Sequence, residues 1–92
     1  MHLIKLNQAK LDISSIEKYT QDTWGEKQKF KYLSGLNYKL DLIATLPYLG
    51  RVFYCVNNVE LRVSGYKRHN ILYFIYNETV VVYRIKSQKQ HY

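Results

Sequence analysis

The chain has 92 residues, 47% of them hydrophobic and 15% aromatic, which supports one domain with its own core and excludes a disordered chain. Fourteen Lys and Arg against seven Asp and Glu give a net charge of +7, a field that attracts nucleic acid or an acidic protein surface without choosing between them. Cys55 is the only cysteine, so an internal disulfide and every multi-cysteine zinc pattern are excluded.

The segment from His2 to Leu6 alternates weakly and reads as a short strand, after which Asn7 can cap a helix starting near Gln8. Ala9, Ile13, Ile16 and Tyr19 or Thr20 recur at spacings of three and four, with Asp12, Glu17 and Lys18 turned outward. This first helix is expected to end near Asp22 or Thr23, where Trp24-Gly25 breaks it. A second helix is predicted from about Glu26 to Thr45 on the stripe Phe30, Leu33, Leu36 or Asn37, Leu40, Ile43 and Ala44, with Pro47 as its stop. A link of two or three residues around Trp24 folds the helices into a hairpin, and Trp24 is expected to plug it.

After Gly50 the pattern changes to strands: Arg51 to Val56, Glu60 to Ser64, Asn70 to Tyr76 and Thr79 to Ile85. The run Ile71 to Tyr76 is apolar on both faces, as in a central strand. Asn77-Glu78 is a two-residue turn candidate. Lys86 to Tyr92 reads as a polar, basic tail. The expected fold is α+β: an N-terminal strand, then an α-helical hairpin packed on an antiparallel sheet of about four strands. The strand order is not legible.

Charge is distributed unevenly: residues 1–50 carry a net +2 and residues 51–92 a net +5. Arg51, Arg62, Lys67, Arg68, Arg84, Lys86 and Lys89, against Glu60 and Glu78, give the second value. Each alone is an ordinary solvated charge, but Tyr66, Tyr73, Tyr76 and Tyr83 among them make an amphipathic surface suited to protein contact. Tyrosine also stacks on bases, so nucleic acid fits the same pattern. Lys27, Lys29 and Lys31 crowd the start of the second helix, where the helix dipole disfavours positive charge, and hint at an acidic partner beside the plainer reading of a solvated face. Histidines at 2, 69 and 91 have no metal-binding spacing, and no metal or cofactor is implied. His69, at the start of a strand, is expected to be a hydrogen-bonded structural residue. Met1 to Gln8 holds no signal-peptide core and no stretch nears the roughly 18 apolar residues that span a membrane, so a cytoplasmic location is expected.

Taken in order, Ala9, Asp12-Ile13, Ile16, Tyr19, Trp24-Gly25, Tyr32-Leu33, Leu36, Leu40, Ile43 and Leu46-Pro47-Tyr48-Leu49-Gly50-Arg51 resemble the helical half of the RelE/ParE toxins of bacterial type II toxin-antitoxin pairs. Leu61-Arg62, Arg68-His69, Ile71-Leu72-Tyr73-Phe74 and Val82-Tyr83-Arg84-Ile85 are similar to its strand half. The resemblance spans nearly the whole chain, so residues 1–92 are read as a single toxin domain with 86–92 as its tail. The Trp-Gly and Leu-Pro-x-Leu-Gly-Arg pieces place it nearest the ParE branch. The end departs from the family, with Lys86-Ser87-Gln88-Lys89-Gln90 where Leu-His and a basic pair are common.

That resemblance implies a protein that binds and poisons DNA gyrase, touching nucleic acid only indirectly. It also implies a hetero-oligomer with a ParD-like antitoxin, acidic and partly disordered when free. Arg62, Arg84, Lys86 and Lys89 are the expected target contacts; Tyr66, Tyr73, Tyr76, Tyr83, Lys27 and Lys31 are those for the antitoxin, reached through the helical hairpin and sheet edge. No catalytic residue is assigned. The alternative implied by the RelE branch is a ribosome-dependent endoribonuclease, with Arg62 and Arg84 on phosphate and His69, His91 or Tyr92 moving protons. A non-toxic partner-binding module is the third.

Overall fold

The computed structural model describes residues 1–89. Among them the order is β1 (His2–Lys5), α1 (Asn7–Trp24), α2 (Glu26–Thr45), a 3₁₀ turn (Pro47–Leu49), β2 (Arg51–Val56), β3 (Val59–Tyr66), β4 (His69–Tyr76) and β5 (Thr79–Ser87). None of the described helices is long and apolar enough to cross a membrane.

Strand runs into helix without a loop. Leu6 donates its N–H to Val82 O while its own carbonyl accepts Lys10 N–H, so one residue ends the pairing with β5 and starts α1. Leu6, in extended backbone, is therefore the N-cap, and no side chain caps the helix; Asn7, expected in that role, is already its first residue. Gly25 alone joins the two helices. Its N–H donates to Gln21 O and its carbonyl accepts Lys29 N–H, so it closes one helix and opens the next. Its φ of +94° and ψ of 169° lie in a region open essentially to glycine. A Cβ there would meet nothing within 4 Å, so Gly25→Ala isolates backbone strain. It is expected to cost about 1–3 kcal/mol in urea unfolding, and an unchanged midpoint would refute that account.

The joint differs from the expected plug. Trp24 belongs to the last turn of α1 and is 65% exposed, because a one-residue joint leaves no gap between the two helices wide enough for an indole. Phe30 also lies outside the buried stripe, with Lys29 Nζ 4.6 Å from its ring centroid. The residues that do pack, Ala9 and Ile16 of α1 with Leu36, Leu40 and Ile43 of α2, keep the spacing of three, four and seven that makes one helical face.

The sheet has five strands in the order β1-β5-β4-β3-β2. It is mixed rather than purely antiparallel, since β1 runs parallel to β5, pairing His2 with Thr79 and Lys5 with Val82. The helical hairpin is the crossover that makes the parallel pairing possible. With β1 on one side and β4 on the other, Val80 to Val82 lies in the interior of the sheet, which accounts for three successive buried valines. The three antiparallel hairpins turn on two residues each. Asn57-Asn58 and Asn77-Glu78 have positive φ at both positions, as tight primed turns require. Lys86 and Ser87, expected in the tail, extend β5 opposite Asn70 and His69.

Register assigns the faces. Ile71, Tyr73, Val80, Val82 and Ile85 pack with the helices, while Val63, Leu72 and Val81 occupy alternate positions and point away. Among the described residues, one face of the sheet is thus covered by helices and the other carries none.

Candidate functional site

On the helix-free face, Phe53, Tyr54, Leu61, Leu72, Tyr83, Arg84 and Lys86 line a groove of about 540 Å³. Tyr83 reaches it because it is the extra residue of a bulge: β4 pairs Tyr73 with Val82 but Leu72 with Arg84, leaving Tyr83 between them. Its ring lies 5.9 Å from that of Phe74. The groove thus joins an apolar, aromatic floor to two cationic side chains at one rim.

Arg84 is not a free cation. Its Nε donates to Asp12 Oδ2 at 2.8 Å and one terminal nitrogen to Oδ1 at 3.3 Å, while Asp12 Oδ2 also accepts Ile85 N–H at 2.9 Å. The backbone contact has a structural cause. Pairing with β1 ends at Val82 and the chain then leaves for α1, so Ile85 N–H lacks a strand neighbour on that side; Asp12 supplies the missing acceptor. Burial alone would raise the Asp12 carboxyl, but hydrogen bonds from Arg84, Ile85 and Gln8, with the charge of Arg84, outweigh it and hold the group below the usual carboxylate value.

Asp12 corrects the sequence reading that turned it outward. At about 100° per residue it lies ~40° from Ile16 and ~60° from Ala9, inside the apolar stripe, and that was the signal for it.

Arg62 faces the opposite way. It pairs with Tyr73 and Arg84 with Leu72, and successive residues of β4 point to opposite faces, so these two arginines are separated by the sheet. The Arg62 guanidinium donates to Gly50 O at 2.8 Å and Tyr48 O at 3.3 Å, pairs with Glu60 at 3.0 Å and lies 5.0 Å from the Tyr48 ring centroid. Its side chain is 12% exposed. Expected as a target contact, it is occupied in pinning the 3₁₀ turn to the sheet.

The four tyrosines do not form one surface. Tyr73 is fully buried, donating to Pro47 O at 2.6 Å and accepting from Gly50 N–H at 3.0 Å, and it has no surface to offer an antitoxin. Tyr66 is on the helix side, partly buried, donating to Tyr32 O at 3.1 Å. Tyr76 and Tyr83 are on the helix-free side. Lys27 and Lys31 are exposed on α2, away from the groove, and Lys89 follows β5.

A second concavity, of about 460 Å³, opens between the joint of the helices and the β3–β4 turn. Within it the Tyr32 hydroxyl hydrogen-bonds His69 Nδ1, and the two rings meet edge-on with centroids 5.7 Å apart. Burial lowers the imidazole below its ordinary value against the opposing charge of Asp12, which favours the neutral ring in this contact with the phenol. Burial and the neighbouring Tyr66 push the Tyr32 phenol up to about 12, Arg68 opposing. Tyr32 in this role was not singled out from sequence. His91 and Tyr92, weighed above as proton carriers, lie outside the described residues.

Residues 3–92 match the family described as the ParE toxin of the type II toxin-antitoxin system parDE. A search of curated proteins returned no match. Among solved structures, a chain of the chromosomal ParDE system from P. aeruginosa superposes with a TM-score of 0.76, covering 95% of each chain at 14% identity, a likeness of fold. With a family match over nearly its full length and the two-helix, five-strand architecture of a ParDE structure, the chain belongs to the ParE toxin family of type II toxin-antitoxin systems.

Proposed function

We propose that this toxin acts by binding DNA gyrase in the cytoplasm and is neutralised by a cognate, acidic antitoxin. The observation that carries this reading is the helix-free groove, where Tyr83, Arg84 and Lys86 border an apolar floor. A surface combining aromatic rings, cations and apolar area suits docking to a protein. Lys86 at its rim and Lys89, two residues past β5, are the proposed target contacts, with Arg84 presented from its ion pair. The antitoxin is proposed to reach Tyr76, Tyr83 and the edge of β2, and to run past Lys27 and Lys31; exposed Val52, Tyr54 and Val56 make that edge attractive to an added strand. Tyr66 serves this interface only through its exposed rim.

Supercoiling assays with purified gyrase, run beside primer extension on translated messages, test the reading. The parent chain is expected to inhibit supercoiling, and the Lys86→Ala, Lys89→Ala double variant to need about tenfold more protein, as loss of rim charge slows association. Message cleavage without inhibition of gyrase would overturn the proposal. Arg62 starts from the opposite face to Arg84 and is held by Gly50, Tyr48 and Glu60 while Arg84 is held by Asp12, engagements that disfavour the shared phosphate clamp of the ribonuclease alternative.

A further inference from the structure

The cleft beside the helix joint shares no lining residue with the helix-free groove and has its own chemistry. Tyr19 and Trp24, each 65% exposed, stand on α1 at one side; Lys67, Arg68 and His69 of the β3–β4 turn stand at the other, with Gln28 of α2 between them. Among the described residues no carboxylate lines the cleft, and Lys67 and Arg68 bring it two positive charges. Lys67 Nζ is held 5.6 Å from the ring centroids of both Tyr32 and Tyr66, which keeps its ammonium at the wall. Tyr32 occupies Nδ1 of His69, leaving Nε2 as the ring's other polar atom.

We propose that this cleft binds a nucleoside monophosphate, free or as the 5′ end of a single strand. The base stacks on Trp24 and Tyr19, and the phosphate is held by Arg68 and Lys67. The volume, about 460 Å³, lies within the usual range for small-molecule sites. Exposed aromatic rings accept any base through its π-face, and a guanidinium matches phosphate oxygens in a fork. Gln28 carries both a donor and an acceptor for a base edge. A peptide ligand is disfavoured because the walls are two helices and a closed hairpin turn, which offer no unpaired strand edge for main-chain bonding.

Trp24 is the only tryptophan, so its fluorescence reports on the site directly. Saturable quenching by AMP, GMP or UMP is expected, with adenosine, ribose 5-phosphate and inorganic phosphate each at least about tenfold weaker, since each lacks one half of the recognised pair. Arg68→Gln is expected to weaken AMP about tenfold. Calorimetry on Trp24→Ala should show a similar loss with an unchanged circular dichroism spectrum. A 5′-phosphorylated oligonucleotide that binds tighter than AMP assigns the strand end, and equal binding assigns the free nucleotide; both support the site. The proposal is overturned by a nucleotide response that fails to saturate, by phosphate binding as well as AMP, by parent-like affinity in both variants, or by an acidic peptide binding where no nucleotide does. Gyrase inhibition by the same variants, read in parallel, keeps this outcome separate from the function proposed above.

Discussion

Tyr73→Phe is expected to destabilise the protein by about 2–4 kcal/mol, although it removes a single oxygen. That oxygen is buried and satisfies two main-chain groups, the Pro47 carbonyl and the Gly50 N–H. Without it both are left unpaired out of water, at about 1–3 kcal/mol each, an effect larger than the small gain from hiding a more apolar ring. Tyr73→Ala adds a cavity and is expected to cost at least the 3–5 kcal/mol typical of aromatic truncation. The same joint can be attacked from its other side. A Cβ on Gly50 would run into the Tyr73 ring and hydroxyl, and because that ring is walled in by the core it cannot swing away. Gly50→Ala should therefore lower stability as well, whereas Tyr76→Phe, at an exposed position, should leave it unchanged. Urea midpoints for the four variants decide the matter: a Tyr73→Phe midpoint equal to the parent's would remove the phenol from its assigned place. Burial raises the Tyr73 phenol, against the Gly50 N–H and the charge of Arg62, so the group remains a neutral donor at physiological pH.

Asp12→Ala is expected to cost about 2–4 kcal/mol at pH 7, since it strands Ile85 N–H and leaves a half-buried guanidinium without its anion. Asp12→Asn retains an oxygen for the backbone and loses the charge, so about half that loss is expected. The pH dependence separates the two contributions. The folded carboxyl titrates below its ordinary value near 3.8, so its stabilisation is complete above that value and is lost as pH falls through the lower folded one. The gap between parent and Asp12→Asn in urea unfolding should then be constant at neutral pH and narrow in that acid window. A gap that widens on acidification would contradict the ion pair. The pair also bears on function. It orients Arg84 at the rim of the helix-free groove, so Asp12→Asn, if folded, should alter target binding without touching a proposed contact residue.

Helix α2, Glu26–Thr45, and strand β2, Arg51–Val56, were legible because their signals are local. An apolar residue every three or four positions ends at Pro47, and a change to strand-like runs follows Gly50. The Asn77-Glu78 turn was legible for the same reason. The site was less so. Arg62 and Arg84 were grouped by charge, yet alternation along β4 sends them to opposite faces. Tyr73 was grouped with three tyrosines by composition, though a central strand beneath two helices buries every second side chain. Trp24 was placed inside by its size, whereas the single glycine after it holds the joint too tightly to enclose an indole.

The amino-acid order by itself determined the two helices, the strands after Gly50 with the Asn77-Glu78 turn, the positive second half and the likeness to ParE toxins. These follow from periodicity, turn chemistry and residue order, which act over a few positions at a time. Tertiary structure alone decided that β1 lies parallel to β5, that Asp12 closes the gap left where β1 ends, and which cations remain free to meet a partner. Asp12 and Arg84 stand 72 residues apart. The physical reason is that a strand's neighbour and a charge's partner depend on the closing of the whole chain around its core, and an isolated segment carries no record of what the closure brings beside it.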